Sequence, residues 1–274
     1  MSAIHRMRRI LLAAAMVVGM LTVFVSAMPI IVATHAVLGE MAEIVGGDEI
    51  DVATLIPSGF CPAHYDLAPS DLAAVAQAKL VIYSGFEPWM DTLCTAVGSE
   101  ASILQLPGEW NTPHTATVKL NAIEDQLSLL LPEAAAGFAS RAQSYRSELE
   151  QLDVELTARA AELGSGDIHV ICIAWQAELV EWLGFEVAAT YSRPEDLSLR
   201  DLVNLAEAGR EAEVSLVVDN LQSGVQFGAK LAREIEAIHV VLSNFPGAMP
   251  HTRTFLDLLR ANADALFTAI SPLS

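Results

Sequence analysis

The chain has 274 residues, with 34 Asp and Glu against 15 Lys and Arg and a formal charge of −19. That length holds one large domain or two modest ones, and so acidic a surface repels phosphate backbones, which excludes nucleic acid as a partner. Three cysteines, an odd number, do not build a disulfide scaffold.

Residues 1–27 read as an address: Arg6, Arg8 and Arg9 precede an apolar run from Ile10 to Val25, and Val25-Ser-Ala27 suits a signal peptidase. The segment is either a removed signal peptide or a retained signal anchor, the chain's one link to a membrane. Both place the remainder outside the cytoplasmic membrane, in the periplasm or on the outer face. No Cys follows the run to carry a lipid. Without the three arginines the charge goes from −19 to −22, a surface that tolerates cations.

Ile30–Ala33 reads as a buried parallel strand, Ala36–Val45 as a helix stopped by Gly46-Gly47, and Asp51–Leu55 as the next strand. Ser70 or Asp71 caps a helix through Ala78, and Leu80–Tyr83 is a strand. Residues 28–131 thus form an N-terminal α/β lobe. From Pro132 to Leu163 apolar residues recur at helical spacing (Phe138, Ala142, Tyr145, Leu149, Leu152, Leu156), which predicts one long linker helix within 132–165. Such a continuous helix predicts little hinge opening. A second α/β lobe fills 166–274. Its strands are His169–Ile173, Glu186–Thr190, Val214–Val218 and Ile238–Leu242; its helices are Gln176–Leu183, Ser198–Ala208, one around Lys230–Ile235 and one from Thr252 toward Ala269. A shared phrase, Asp71-Leu-Ala-Ala and Asp201-Leu-Val-Asn, each before a buried strand, supports two lobes of like architecture.

In open α/β sheets ligands bind beyond the carboxyl ends of the strands. That rule selects His35 after the first strand, Cys61, His64 and Asp66 after the second, His114 after the turn-like Asn111-Thr-Pro113, and Asp219, Ser243 and Asn244 in the second lobe. Histidine with thiolate or carboxylate suits a borderline-soft cation, zinc first. Each residue has a plainer role beside this one: a loop His as a solvated side chain, Cys61 as a small buried thiol, Asp66 as a turn residue. Cys94 and Cys172 read as core, Trp89 and Trp182 as packing, and His169 and His239 as structural. No nucleophile elbow, phosphate-cradling loop or His-Glu-x-x-His helix is present.

Three stretches together resemble the zinc/manganese receptors of ABC importers: Ile31-Val-Ala-Thr-His35 through Asp48, Leu55-Ile-Pro-Ser-Gly-Phe-Cys61-Pro-Ala-His64 through Asp91, and Asn111-Thr-Pro-His114. The resemblance extends over about residues 30 to 270 and includes the linker helix and Phe255-Leu-Asp-Leu-Leu-Arg-Ala-Asn262. It implies two open parallel-sheet lobes joined by one long α-helix, the helical-backbone metal receptor type, with metal in the interlobe cleft. It carries a metal-ligand role onto His64 and His114. The sequence departs from the family where Asp-Pro-His is replaced by Cys61-Pro-Ala-His64, where a His or Glu is expected near Ile173–Trp175, and where an Asp is expected around Ser243-Asn244. His35 (first by position) or Cys61 could complete the shell from the same lobe, and Asp219 or His251 from the other; a Cys61 thiolate would favour Zn over Mn. The expected function is an extracytoplasmic, monomeric receptor delivering a divalent metal to an ABC permease and its ATPase. The alternatives are a metal-dependent hydrolase using the same histidines, a receptor for an altered ligand such as a metal chelate, and an adhesion protein with a decayed site.

Overall fold

The computed structural model describes residues 27–96 and 101–271. The leader expected at the N-terminus lies outside the described residues, as does the side chain of Cys94. No helix among the described residues is long and apolar enough to cross a membrane.

In the first lobe β1 (Ile30–Ala33), β2 (Asp51–Thr54), β3 (Ala78–Tyr83) and β4 (Ser102–Gln105) form one parallel sheet in the order β2-β1-β3-β4. In the second, β5 (His169–Ile173), β6 (Glu186–Tyr191), β7 (Leu216–Asn220) and β8 (Ile238–Leu242) repeat that order as β6-β5-β7-β8. The central strands are continuous apolar runs because helices cover both faces. Helix α1 (Ala36–Gly46) follows β1, α2 (Pro69–Gln77) precedes β3, α3 (Met90–Ala96) precedes β4, and α4 (Pro113–Leu130) leads to the linker. In the second lobe α6 (Ala177–Trp182), α7 (Leu199–Glu211) and α8 (Gln226–Ile235) alternate with the strands, and α9 (Phe255–Ile270) follows β8.

The linker is α5 (Ala135–Glu162), entered through a single 3-10 turn at Pro132–Ala134. All six residues of the expected stripe are buried, with Ala160 added at the same spacing. They join Ile31, Met41 and Leu120 of the first lobe and Val218, Leu258 and Phe267 of the second in one apolar core. Each lobe has a smaller satellite core on its outer face, around Val81 in the first and Val217 in the second. Packing is close where α1 crosses β2: a Cβ on Gly39 would stand 2.2 Å from Thr54 Oγ1, so a larger residue there would displace the Thr54 side chain.

The phrase shared by the two halves occupies the same place in each lobe. Asp71 and Asp201 are third residues of α2 and α7, and their carboxylates accept the N–H groups of Ala68 (2.7 Å) and Ser198 (2.7 Å). Asp71 is therefore not the residue that begins its helix; Ala68 and Pro69 are, and Asp71 reaches back to them. Strand β4 and helix α4 are not among the elements expected from the sequence. Consequently Asn111-Thr-Pro113 is more than a turn: Thr112 caps α4 by accepting from Thr115 N at 3.2 Å, Pro113 opens the helix, and His114 lies in its first turn.

Candidate functional site

The carboxyl ends of both sheets face each other across the interlobe cleft, and most of the selected residues lie there. His64 is carried by a short 3-10 turn, Pro62–His64, between β2 and α2. Trp89 Nε1 donates to Pro62 O at 3.1 Å and His64 N to Cys61 O at 3.0 Å, while Tyr65 Oη donates to Asp71 Oδ2 at 2.8 Å. Trp89 is thus packing, as expected, and what it packs is the turn that presents His64. With the turn fixed at three points, the imidazole projects into solvent and its Nε2 stands 3.3 Å from Glu195 Oε1 of the opposite lobe. Glu195 lies on the 3-10 turn Pro194–Asp196 between β6 and α7, which is the equivalent position in the second lobe. Arg193 approaches the same carboxylate at 3.6 Å but is held mainly by Asp196, at 3.1 Å.

His114 is exposed at the start of α4. Asn111 Nδ2 donates to Trp175 O at 2.7 Å, which docks this loop on the turn leading into α6 and brings His114 within electrostatic reach of Glu178. Burial raises the Glu178 pKa, opposed by the charges of His114 and Lys119. Burial also pushes Glu109 up to about 7, with Glu178 adding to the shift and Lys119 opposing it. Lys119 itself is buried, donating from Nζ to Leu106 O at 3.0 Å and Pro107 O at 2.9 Å.

His35 lies deeper. It is 1% exposed, with its ring 4.7 Å from that of Trp110 and 5.1 Å from that of Phe245, and its Nε2 lies 2.7 Å from Ser84 Oγ. Burial, helped by the charge of Lys119, lowers its pKa to about 3, so the imidazole is neutral. Its loop is braced by Glu87, whose buried carboxylate accepts from Thr34 Oγ1 (2.5 Å), Ser84 N (3.1 Å) and Gly85 N (2.7 Å). Asp219 is fully buried, accepting from Tyr191 Oη at 2.5 Å and facing His239 Nε2 at 2.8 Å. It points under the sheet toward α8, where a Cβ on Gly228 would meet Asp219 Oδ2 at 2.2 Å. Cys61 is half-buried, and His251 is exposed in a left-handed turn with φ of 61°.

The structure therefore does not gather His35, Cys61, His64, His114 and Asp219 into one cluster. Among the described residues no three His, Cys, Asp or Glu side chains stand together as a metal shell. Where the resemblance places C-lobe ligands, the cleft holds neutral amides. Gln176 Nε2 donates to Asn244 Oδ1 at 2.5 Å, Trp110 Nε1 to Asn244 O at 3.1 Å, and Gln222 Nε2 to Ser58 O at 2.9 Å and Ser243 Oγ at 3.0 Å. The C-lobe groups that sequence reading missed are Glu195 and Glu178. Their signal was weak, because Glu195 sits in an ordinary Pro-Glu-Asp turn and Glu178 in the first turn of a short helix. A large groove of about 1050 Å³ lies elsewhere, between α1, α5 and α9, lined by Glu40, Arg141, Tyr145 and Asp257 and by none of the selected residues.

A family model described as zinc-uptake complex component A, periplasmic, matches residues 31–269. Among curated proteins the chain is 22% identical over 152 residues to the manganese ABC transporter substrate-binding lipoprotein PsaA of Streptococcus mitis, covering 46% of this chain and 49% of that one. It is 22% identical over 156 residues to the iron ABC transporter substrate-binding lipoprotein MtsA of Streptococcus pyogenes serotype M1, covering 47% and 50%. The chain thus spans about half the length of the curated relatives it matches. Its fold is shared with the Mn-bound periplasmic metal binding protein of Candidatus Liberibacter asiaticus, at a TM-score of 0.79 and 17% identity over 88% of this chain and 99% of that one. A crystal structure of ZnuA superposes with a TM-score of 0.75 at 21% identity, over 89% and 100%. Two four-stranded parallel lobes, one linker helix and a match running from β1 to the end of α9 make this chain a member of the periplasmic zinc-uptake component A family.

Proposed function

We propose that this protein is an extracytoplasmic receptor that captures a divalent transition metal at its interlobe cleft and delivers it to an ABC permease driven by its ATPase, a transport role rather than an enzymatic one. The observation that carries this reading is the placement of His64: a solvent-facing imidazole, rigidly presented at a strand end, opposite a carboxylate of the other lobe. Imidazole and carboxylate together suit Zn, Mn and Fe. Zinc is the preferred cargo, because Cys61 lies on the same turn as His64 and zinc exceeds manganese in affinity at nitrogen and sulfur sites.

Titration calorimetry with Zn and Mn tests this. The wild-type chain is expected to bind both, zinc more tightly, and the His64→Ala/His114→Ala double variant to lose at least about a hundredfold in affinity. Absence of binding by wild type, or equal binding by the double variant, would sink the reading. One observation favours an altered ligand as the second reading. Phe60, Phe86, Trp175 and Leu221 are exposed on strand-end loops, two from each lobe, and an apolar rim suits a metal chelate better than a bare ion. Tighter binding of a zinc–phenanthroline complex than of free zinc would favour it.

A further inference from the structure

The family match leaves open how the second lobe holds its cargo, since Trp175 and the Ser243-Asn244 pair supply no strong donor. We infer that Glu195 is the second lobe's metal donor and that it completes an interlobe pair with His64. This rests on the receptor reading above.

Three observations carry it. The first is distance. A charge-assisted N–H···O bond between imidazole and carboxylate closes to about 2.7–2.9 Å. His64 Nε2 and Glu195 Oε1 stand 3.3 Å apart. Two donors on one tetrahedral zinc, each with a bond of about 2.0–2.2 Å, are separated by about 3.4 Å. The pair therefore has the spacing of one edge of a zinc tetrahedron without any movement of the lobes.

The second is position. The two turns are equivalent in the two lobes: each follows the edge strand, β2 or β6, and precedes the next helix, α2 or α7. Asp71 ties the first turn to its helix through Tyr65 Oη, at 2.8 Å, and the second is closed on itself by Asp196 N donating to Arg193 O at 2.9 Å. The donors thus come from hydrogen-bonded turns and not from open loops, as a preorganised site requires.

The third is availability. Asp219 and Glu87 are buried and saturated by donors within their own lobes. His35 is sealed behind Trp110 and Phe245. Glu195 is 43% exposed at its side chain and His64 61%, so a hydrated ion reaches both. Among the described residues Arg193 is the basic side chain that competes for the carboxylate, at 3.6 Å, and its guanidinium is already engaged by Asp196. Water completes the remaining coordination positions, giving an open, exchangeable site suited to cargo that must leave again.

Calorimetric titration of the full chain with ZnCl2 tests the assignment in wild type, Glu195→Gln, His64→Gln and Arg193→Ala. Glu195→Gln keeps size and hydrogen bonding but gives up the anionic oxygen, and is expected to weaken zinc more than about tenfold, as is His64→Gln. Arg193→Ala is expected to bind as wild type or more tightly. Thermal melting of the metal-free variants should match wild type, because the pair is exposed; metal should raise the wild-type midpoint and leave that of Glu195→Gln nearly unmoved. Undiminished zinc binding by Glu195→Gln would overturn the assignment while the receptor reading stands. Loss in Arg193→Ala as large as in Glu195→Gln would also overturn it, by showing that the turn's arrangement matters and not the Glu195 oxygen. No zinc binding by wild type would overturn both.

Discussion

The carboxyl ends of the two sheets are built on the same plan and filled with opposite chemistry. In the first lobe they carry imidazoles, His35 and His64, with the Cys61 thiol beside the latter. In the second they carry Gln176, Asn220, Gln222, Ser243 and Asn244, neutral groups tied largely to one another and to the first lobe's backbone. A neutral amide bonded to its neighbours holds two surfaces together at less desolvation cost than an unpaired buried charge would, even with Gln176 Oε1 and Asn220 Nδ2 buried without a hydrogen-bond partner among the described residues. The difference points to two tasks: the amide floor sets how the lobes meet, and the rim, at His64 and Glu195, is the proposed binding surface.

The strongest way to break that separation is at Asp219, the one carboxylate on a second-lobe strand end. Asp219→Ala leaves Tyr191 Oη and His239 Nε2 without their buried partner, and we expect a loss of about 3 kcal/mol in urea unfolding with zinc affinity unchanged. A stable variant with weakened metal binding would move Asp219 from floor to site.

A second contrast sets the cleft against the linker side. There Glu40 of α1 reaches the other lobe, its Oε1 and Oε2 accepting Phe255 N at 2.8 and 2.9 Å at the start of α9. Burial pushes its pKa up to about 7 against the effect of that hydrogen bond, with Glu43 and Asp257 adding to the rise. The folded protein therefore binds this proton more tightly than the unfolded chain, whose carboxylate titrates at its ordinary value of 4.5. Stability contributed by the protonated form is full below that value and is lost as pH rises toward about 7. The change is about 2 kcal/mol once partial solvation is allowed for. Glu109, also near 7, adds a slope of the same sign. In Glu40→Gln the fall in stability between pH 4.5 and 7 should shrink, measured as the urea midpoint at each pH; an unchanged slope would place the proton elsewhere.

The smallest effect is expected at Gln222, which bridges the amide floor to Ser58 of the first lobe. Gln222→Ala should cost about 1–2 kcal/mol and leave metal affinity within about threefold. A larger change in affinity would show that the floor also sets the site's geometry.

Much of the fold was legible because buried parallel strands are apolar runs bounded by Gly and polar turns. His169–Ile173 and Ile238–Leu242 were read with their observed ends. Helix α4 escaped because Lys119 sits on its buried side, satisfied by two carbonyls that nothing in the local sequence announces. Strand β4 is four residues long, half exposed and at a sheet edge, too short for a periodic signal. The site was legible by halves. His64 stands in a motif, whereas Glu195 acquires meaning only when two edge strands far apart in the chain come to face each other. The roles of His35 and Asp219 could not be read at all, since burial and ring stacking are properties of the closed core.

The grip of Glu40 on Phe255 also bears on how the molecule comes into being. Helix α9 follows all other described helices and strands in the chain, yet Phe255, Leu259, Leu266 and Phe267 pack in the same core as Ile31 and Met41. A ribosome or translocon releases the first lobe well before α9 emerges, with part of its inner face still bare. That lobe must wait, collapsed but unfinished, for α9 to seal it. Nascent chains halted before Phe255 should therefore be held by chaperones or degraded, and both lobes should be born together when the last helix docks.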